Sequence, residues 1–203
     1  MKMVNRIILL SLVVIGLVVV SAGVASAQDV YKVNYFDFNS PTLGGFPVRD
    51  ATVHIDNPGL TYGNLCAMIY VFAADQQLTE CCGCVETHNG LRRLSVRTNL
   101  TANPLTGVVP FSGVIKVVSA AVNDSPCDPT SNVRPTANLR VWATHIQNGT
   151  TLGSFGGLIW PVTETESSDS TLGATELANL QAQCAFINIL GSGHGLCSCG
   201  TGD

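Results

Sequence analysis

Residues 65–73 read Leu-Cys-Ala-Met-Ile-Tyr-Val-Phe-Ala, nine residues without a charge, a glycine or a proline. A strand with one wet face alternates apolar and polar side chains. This one does not alternate, so it belongs at the centre of a sheet with both faces covered. Shorter strand-like runs lie on either side of it. Ala51, Val53 and Ile55 alternate with Thr52, His54 and Asp56, the pattern of a half-buried strand. Leu94, Val96 and Leu100 alternate with Arg93, Ser95, Arg97 and Asn99. Residues 114–118 form another buried run, and residues 139–146 a longer one that includes Trp142. Residues 158–162 contain Pro161, which places that strand at an edge or a bulge. The aromatic-rich stretch 30–38 opens the series, and Pro41, Gly44 and Gly45 end it.

Two Asn-Gly pairs, Asn89-Gly90 and Asn148-Gly149, fall between such runs and suit the left-handed turns of two-residue hairpins. About seven short strands with turns between them predict an antiparallel β-sandwich, immunoglobulin-like (Ig-like) in class. No strand–helix alternation supports a doubly wound sheet.

The C-terminal part changes period. Residues 163–169 are polar and read as a linker or an exposed edge. From Ala174 to Leu190, Leu177, Leu180, Cys184 and Ile187 recur at three and four residues, which gives a helix one apolar stripe. Gly191 ends it. The stripe predicts that the helix lies on the sandwich with Cys184 facing it. The tail GSGHGLCSCGTGD is too rich in glycine to hold one conformation unless Cys197 and Cys199 tie it down. The expected division is a signal peptide at 1–27, the sandwich at 28–165, and the helix with its tail at 166–203.

The first residues predict export. Lys2 and Arg6 precede an uncharged apolar run over residues 7–20, and Ala25-Ser26-Ala27 is a small-residue cleavage site that leaves Gln28 first. An uncleaved membrane anchor is the rival reading, since residues 7–27 approach the ~20 residues a span requires. No second run is long enough to cross a bilayer. Beyond Lys2 and Arg6 the chain carries 8 basic and 14 acidic groups. That balance argues against nucleic acid, which requires a basic face.

All 8 cysteines lie beyond the signal: Cys66, Cys81, Cys82, Cys84, Cys127, Cys184, Cys197 and Cys199. Exported compartments are oxidising, so an even number reads first as disulfides. Their density is below the ~8–10% of small disulfide scaffolds, so the bridges supplement a core rather than replace one. The expected pairing is Cys66 with Cys127, and Cys184, Cys197 and Cys199 with Cys81, Cys82 and Cys84 in an open order. A Cys81–Cys82 bond is disfavoured by geometry. The competing reading is a metal site. Cys-Cys-x-Cys is followed by His88, and His194 is followed by Cys-x-Cys, a soft donor set suited to zinc or copper(I). The spacing is not that of a zinc ribbon. A redox-active pair is a third reading, weakened because no Cys-x-x-Cys opens a helix.

Catalytic patterns are absent: there is no Gly-x-Ser-x-Gly, no His-Glu-x-x-His and no phosphate loop. Glu164 and Glu166 read as a solvated strand face before they read as a glycosidase pair. His54 and His145 read as ordinary strand residues. Arg92, Arg93, Arg97 and Arg140 form a small basic stripe, which reads equally as a contact for an anionic glycan and as solvated strand faces. Trp142, Trp160, Tyr31, Tyr35 and Phe36 are core by default and a sugar-stacking platform otherwise. Sequons occur at Asn99 and Asn148, among others.

Four stretches, LCAMIYVF at 65–72, CCGC at 81–84, LTANPLTG at 100–107 and GSGHGLCSCG at 191–200, resemble a group of uncharacterised secreted proteins from soil bacteria of the acidobacterial kind. The resemblance spans most of the chain beyond the signal. It implies bacterial export, makes the sequons irrelevant, and transfers no activity, ligand or cofactor.

These readings predict a secreted, disulfide-stabilised structural or adhesive surface protein without catalytic, cofactor-binding or metal residues. Its partners are expected to be a second copy, through strand addition with residues 30–38 as donor, or a component of the cell surface or matrix. A metal-binding or thiol-redox protein using the cysteine clusters is the alternative, and a secreted hydrolase without a recognisable motif is the third.

Overall fold

The computed structural model describes residues 30–37, 50–60, 63–101, 106–122, 127–131, 134–146, 151–152, 158–159, 162–190 and 197–200. The expected signal, Asn148-Gly149, Trp160, Pro161 and His194 lie outside them. In chain order the elements are β1 (Tyr31–Asp37), β2 (Ala51–Asp56), β3 (Leu65–Ala73), β4 (Leu78–Glu86), β5 (Leu91–Ser95), a helical turn α1 (Val96–Asn99), β6 (Ser112–Ala121), β7 (Arg140–Ile146), β8 (Thr151–Leu152), β9 (Leu158–Ile159), β10 (Val162–Glu166), β11 (Ser168–Ser170) and α2 (Ala174–Leu190). The expected strand over residues 158–162 is thus two separate strands, β9 and the start of β10.

The chain is mainly β, with two principal antiparallel sheets and one C-terminal helix. The five-stranded sheet runs β11-β1-β6-β3-β4, the four-stranded sheet β10-β7-β2-β5, and β8 pairs with β9. Leu65, Ala67, Ile69 and Val71 of β3 share one buried cluster with Val53, Ile55, Leu94, Val141 and Ala143 of the four-stranded sheet. Cys66, Met68 and Tyr70 point the other way, into a second cluster with Leu180, Cys184 and Ile187 of α2. The five-stranded sheet is therefore a middle layer, which is why residues 65–73 are apolar on both faces.

The helix follows the predicted stripe: Leu180, Cys184 and Ile187 are buried, and Leu177 packs beside them. Its first turn is held by Glu176, which forms an ion pair with Lys116 at 2.7 Å and accepts a hydrogen bond from the Tyr31 hydroxyl at 3.0 Å. Both contacts hold the Glu176 carboxyl below the usual carboxylate range, the Lys116 hydrogen bond most of all. Among the described residues no helix is long and apolar enough to cross a membrane.

Residues 78–86, Leu-Thr-Glu-Cys-Cys-Gly-Cys-Val-Glu, form a buried strand that no hydrophobic pattern marks in the sequence. Two expectations are corrected. The run from residue 91 does not continue as a strand to residue 99. The Ser95 hydroxyl accepts from the Thr98 N–H at 3.0 Å, and Asp50 accepts from the Ser95 hydroxyl and the Arg97 N–H. This N-cap turns the chain into α1. Leu94, Val96 and Leu100 remain buried because both backbone paths direct them inward. Asn89-Gly90 is a left-handed turn, with Asn89 at φ 59°, but it joins β4 of one sheet to β5 of the other and closes no hairpin. Buried Asn57 supports the crossing at both ends of the turn: its N–H donates to Gly90 O, and its Nδ2 donates to Glu86 O at the end of β4.

The two flanks are closed differently. On one, the chain crosses between the sheets at Ser167. Its N–H donates to Val141 O, and Asn34 Nδ2 donates to Thr165 O and Ser167 Oγ, both at 3.2 Å. On the other, beside β4 and β5, the C-terminal tail fills the opening. Cys197 N–H donates to Cys81 O of one sheet, and Ser198 N–H donates to Asn99 O beside the other.

Candidate functional site

The cysteine constellation follows from the two-residue period of β4. Adjacent residues on a strand face opposite sides. Cys81 therefore faces α2, while Cys82 and Cys84 face the interior shared by the sheets. Cys81 and Cys82 point apart and take partners in different layers. The bridges are Cys66–Cys127, Cys81–Cys184, Cys82–Cys197 and Cys84–Cys199, spanning 61, 103, 115 and 115 residues. No cysteine is free.

Gly83 lies between these positions, on the same face as Cys81. A Cβ there would overlap the Cys127 carbonyl oxygen and stand 2.9 Å from its Sγ. The missing side chain lets the Cys127 loop lie flat against the sheet. The loop is held further by the Tyr70 hydroxyl, which donates to Pro129 O at 2.8 Å, and by Gln181 of the helix, which donates to Ser131 O.

The tail is gripped by Arg92 as well. Its Nε meets Glu86 at 2.6 Å, Nη2 donates to Val85 O at 2.9 Å, and Nη1 donates to the Cys199 carbonyl. Burial pushes the Glu86 carboxyl upward, and the Arg92 guanidinium opposes that. The expected basic stripe is thus divided by strand alternation. Arg92 turns inward as a clip, Arg93 and Arg140 are exposed on the outer face of the four-stranded sheet, and Arg97 belongs to the α1 turn.

Three sulfurs, of Cys82, Cys84 and Cys199, lie within 4.8 Å of one another, and that group contains no histidine. Each of the three is already half of a disulfide, so none is a thiolate donor in this form. His88 is exposed in the turn after β4, where its Nδ1 bonds the Asn89 amide at 2.8 Å.

The remaining candidates separate cleanly. Tyr31 and Phe36 are core, and Tyr35 stacks on His145 with centroids 4.5 Å apart. His145 is buried and bonds Thr165 Oγ1 at 2.8 Å, a satisfied core histidine. Burial lowers its pKa and that of His54; Arg93 lowers His54 further, while Glu164 opposes. Both histidines therefore stay neutral in the fold at a pH where the unfolded chain is already protonated, below about 6.5. Stability is expected to fall as the pH drops from 7 to 5. A urea midpoint followed across that range should decline for the natural chain and decline less for H145Q.

The outer face of the four-stranded sheet holds the other group. Register aligns Arg93, His54, Trp142 and Glu166 in one row across four strands. Trp142 and His54 stack at 5.0 Å with planes 7° apart. Beside them is a half-open cavity of about 600 Å³ lined by Lys32, Asp56, Arg140, Trp142, Glu164 and Asp169 among others. Lys32 and Asp169 are paired with each other. In this group Asp56 has no role in the sequence beyond a polar strand position, and Arg140 is placed there only in the basic stripe; both are outward positions of alternating strands.

No protein-family model matches the chain. No curated protein matches it either. Among solved structures it is similar to "Crystal Structure of Thermotoga maritima 1070", with TM-score 0.42, 9% identity, 74% of this chain covered and 100% of that chain. A likeness that slight carries no conclusion about this chain.

Proposed function

We propose that the chain is an exported, disulfide-braced surface module with a structural or adhesive role, acting by binding rather than by catalysis. The observation that carries this reading is the placement of the bridges. From one strand, β4, they tie the helix to one face of the middle sheet and the tail to the other. Such cross-links suit an oxidising, protease-rich exterior. Among the described residues no element covers the outer face of the four-stranded sheet, which leaves that face for contact.

Adhesion belongs to that face rather than to a donated strand. β1 is paired with β6 over all seven residues and buries Tyr31 and Phe36, so residues 31–37 are committed within their own sheet. The edges are blunted: the tail lies along β4, β11 has three residues, and β10 carries exposed Glu164 and Glu166.

Fractionating producing cells tests the reading. The chain is expected in the washed surface or matrix fraction, resistant to added protease until a reductant is present. Recovery only as free protein in the medium contradicts an adhesive role.

A thiol-exchange role is the second reading, favoured by one observation. Cys82 Sγ and Cys84 Sγ, in different bridges, are 3.8 Å apart. Both are buried, which slows attack by an outside thiol.

A further inference from the structure

We infer that the outer face of the four-stranded sheet is a binding site for a neutral oligosaccharide, with a sugar ring stacked on Trp142. This deepens the adhesive reading and rests on it for its biological sense, though not for its geometry. The site stands on β2, β7 and β10, three in-register neighbours of a sheet whose opposite face is core, and Lys32 of β1 and Asp169 of β11 border its cavity from the other sheet. Its backbone is therefore rigid and its outward side chains are spaced by the pleat. His54 covers one side of the Trp142 indole. The other side is that of β10, where Glu164 and Glu166 line the cavity.

The chemistry of the lining selects the ligand. An indole beside a cavity accepts the flat C–H face of a pyranose ring. Ionised Asp56, Glu164 and Glu166 are acceptors only, and Arg140 is a donor only. Sugar hydroxyls satisfy both kinds, since each donates and accepts. None of these four side chains is used in a hydrogen bond or ion pair among the described residues, so they remain available for a ligand. The lining holds four carboxylates, Asp56, Glu164, Glu166 and Asp169, against Lys32 and Arg140. That balance repels uronic and sulfated glycans. A simple organic cation would suit the indole and the carboxylates, but it leaves Arg140 opposed. The cavity of about 600 Å³ falls within the range of small-molecule sites and opens to solvent.

The test is titration calorimetry on the oxidised full chain with cellohexaose, xylohexaose, mannohexaose and N-acetylchitohexaose as probes. Hexagalacturonate and tetramethylammonium serve as anionic and cationic comparators. At least one neutral hexasaccharide is expected to bind. W142A should weaken it about tenfold or more, equivalent to roughly 1.4 kcal/mol, with W142F retaining most of the affinity. E164Q/E166Q should weaken it too, while the melting temperature of each variant stays within a few degrees because these side chains face outward. No binding of any neutral probe, binding indifferent to W142A, or preference for either comparator overturns the proposal. Surface attachment that persists in W142A overturns the glycan site and leaves the adhesive reading standing. Sugar binding by a chain found only in the medium does the reverse.

Discussion

Removing both tail bridges, Cys82–Cys197 and Cys84–Cys199, is expected to cost more than the sum of removing either alone. The bridges each span 115 residues, but they do not close independent loops of that length. Cys81–Cys184 already brings the end of the helix beside β4. With it in place, the tail bridges close only the stretch from Cys184 onward, a loop of about 15 residues worth ~3 kcal/mol in unfolded-chain entropy. Either bridge secures most of that. Loss of the second also releases Cys197 from the core and Cys199 from Arg92. The C82A/C197A and C84A/C199A variants should therefore each lose about 1–2 kcal/mol, and the quadruple variant about 4–6 kcal/mol. Against a total of roughly 5–15 kcal/mol for a typical domain, that loss is near the limit of folding. Equilibrium urea unfolding measures it. Additive losses across the two pairs contradict the account of the tail as one closed flap.

The second large effect is expected at a residue without a side chain. Gly83→Ala places a Cβ on the Cys127 carbonyl oxygen. Two backbones cannot both stay where they are, and the mobile partner is the loop. Overpacking of this kind costs about 1–3 kcal/mol. If the loop withdraws, the Cys66–Cys127 bridge is lost as well, at a further ~2–4 kcal/mol. The G83A chain should show a markedly lower urea midpoint and two alkylatable thiols, at Cys66 and Cys127. An unchanged midpoint with no free thiol contradicts the close approach of loop and sheet.

Much of the architecture was legible because burial writes itself in apolar periods. Residues 65–73 announced a strand covered on both sides, and the stripe from Leu177 to Ile187 announced the helix that covers it. The cysteine partners divided as expected, Cys66 with Cys127 and the remaining six across β4, the helix and the tail. Their order was hidden because β4 does not look like a strand. Its inward positions are filled by Cys82 and Cys84, and disulfides supply the apolar bulk that valine or leucine would otherwise show. Had β4 been recognised, alternation alone would have sent Cys81 to a different layer from Cys82 and Cys84.

Where a local contact decides the path, periodicity was silent. Leu94, Val96 and Leu100 fit a strand and a helical turn equally, and only the Ser95–Asp50 cap distinguishes them. Asn89-Gly90 specified the turn but not which sheet received the next strand, because that depends on β5 pairing with β2. Trp142 was legible as a stacking residue only in the alternative, and the polar groups around it were hidden for a related reason. Asp56, Arg140, Glu164 and Glu166 come from three strands distant in sequence, and only the register of the four-stranded sheet places them around one ring.

The central claim is that every cysteine sulfur is spent in holding layers together from β4 and β3. Its most direct test is disulfide mapping of the protein purified under non-reducing, thiol-blocked conditions. Electron-transfer fragmentation is required, since no protease cuts between Cys81 and Cys82. The account predicts no alkylated cysteine, one separate Cys66–Cys127 pair, and one cluster in which Cys81 joins Cys184, Cys82 joins Cys197 and Cys84 joins Cys199. Free thiols in the Cys-Cys-Gly-Cys and Cys-Ser-Cys segments, with a metal lost on denaturation, would contradict it and make those sulfurs the functional site.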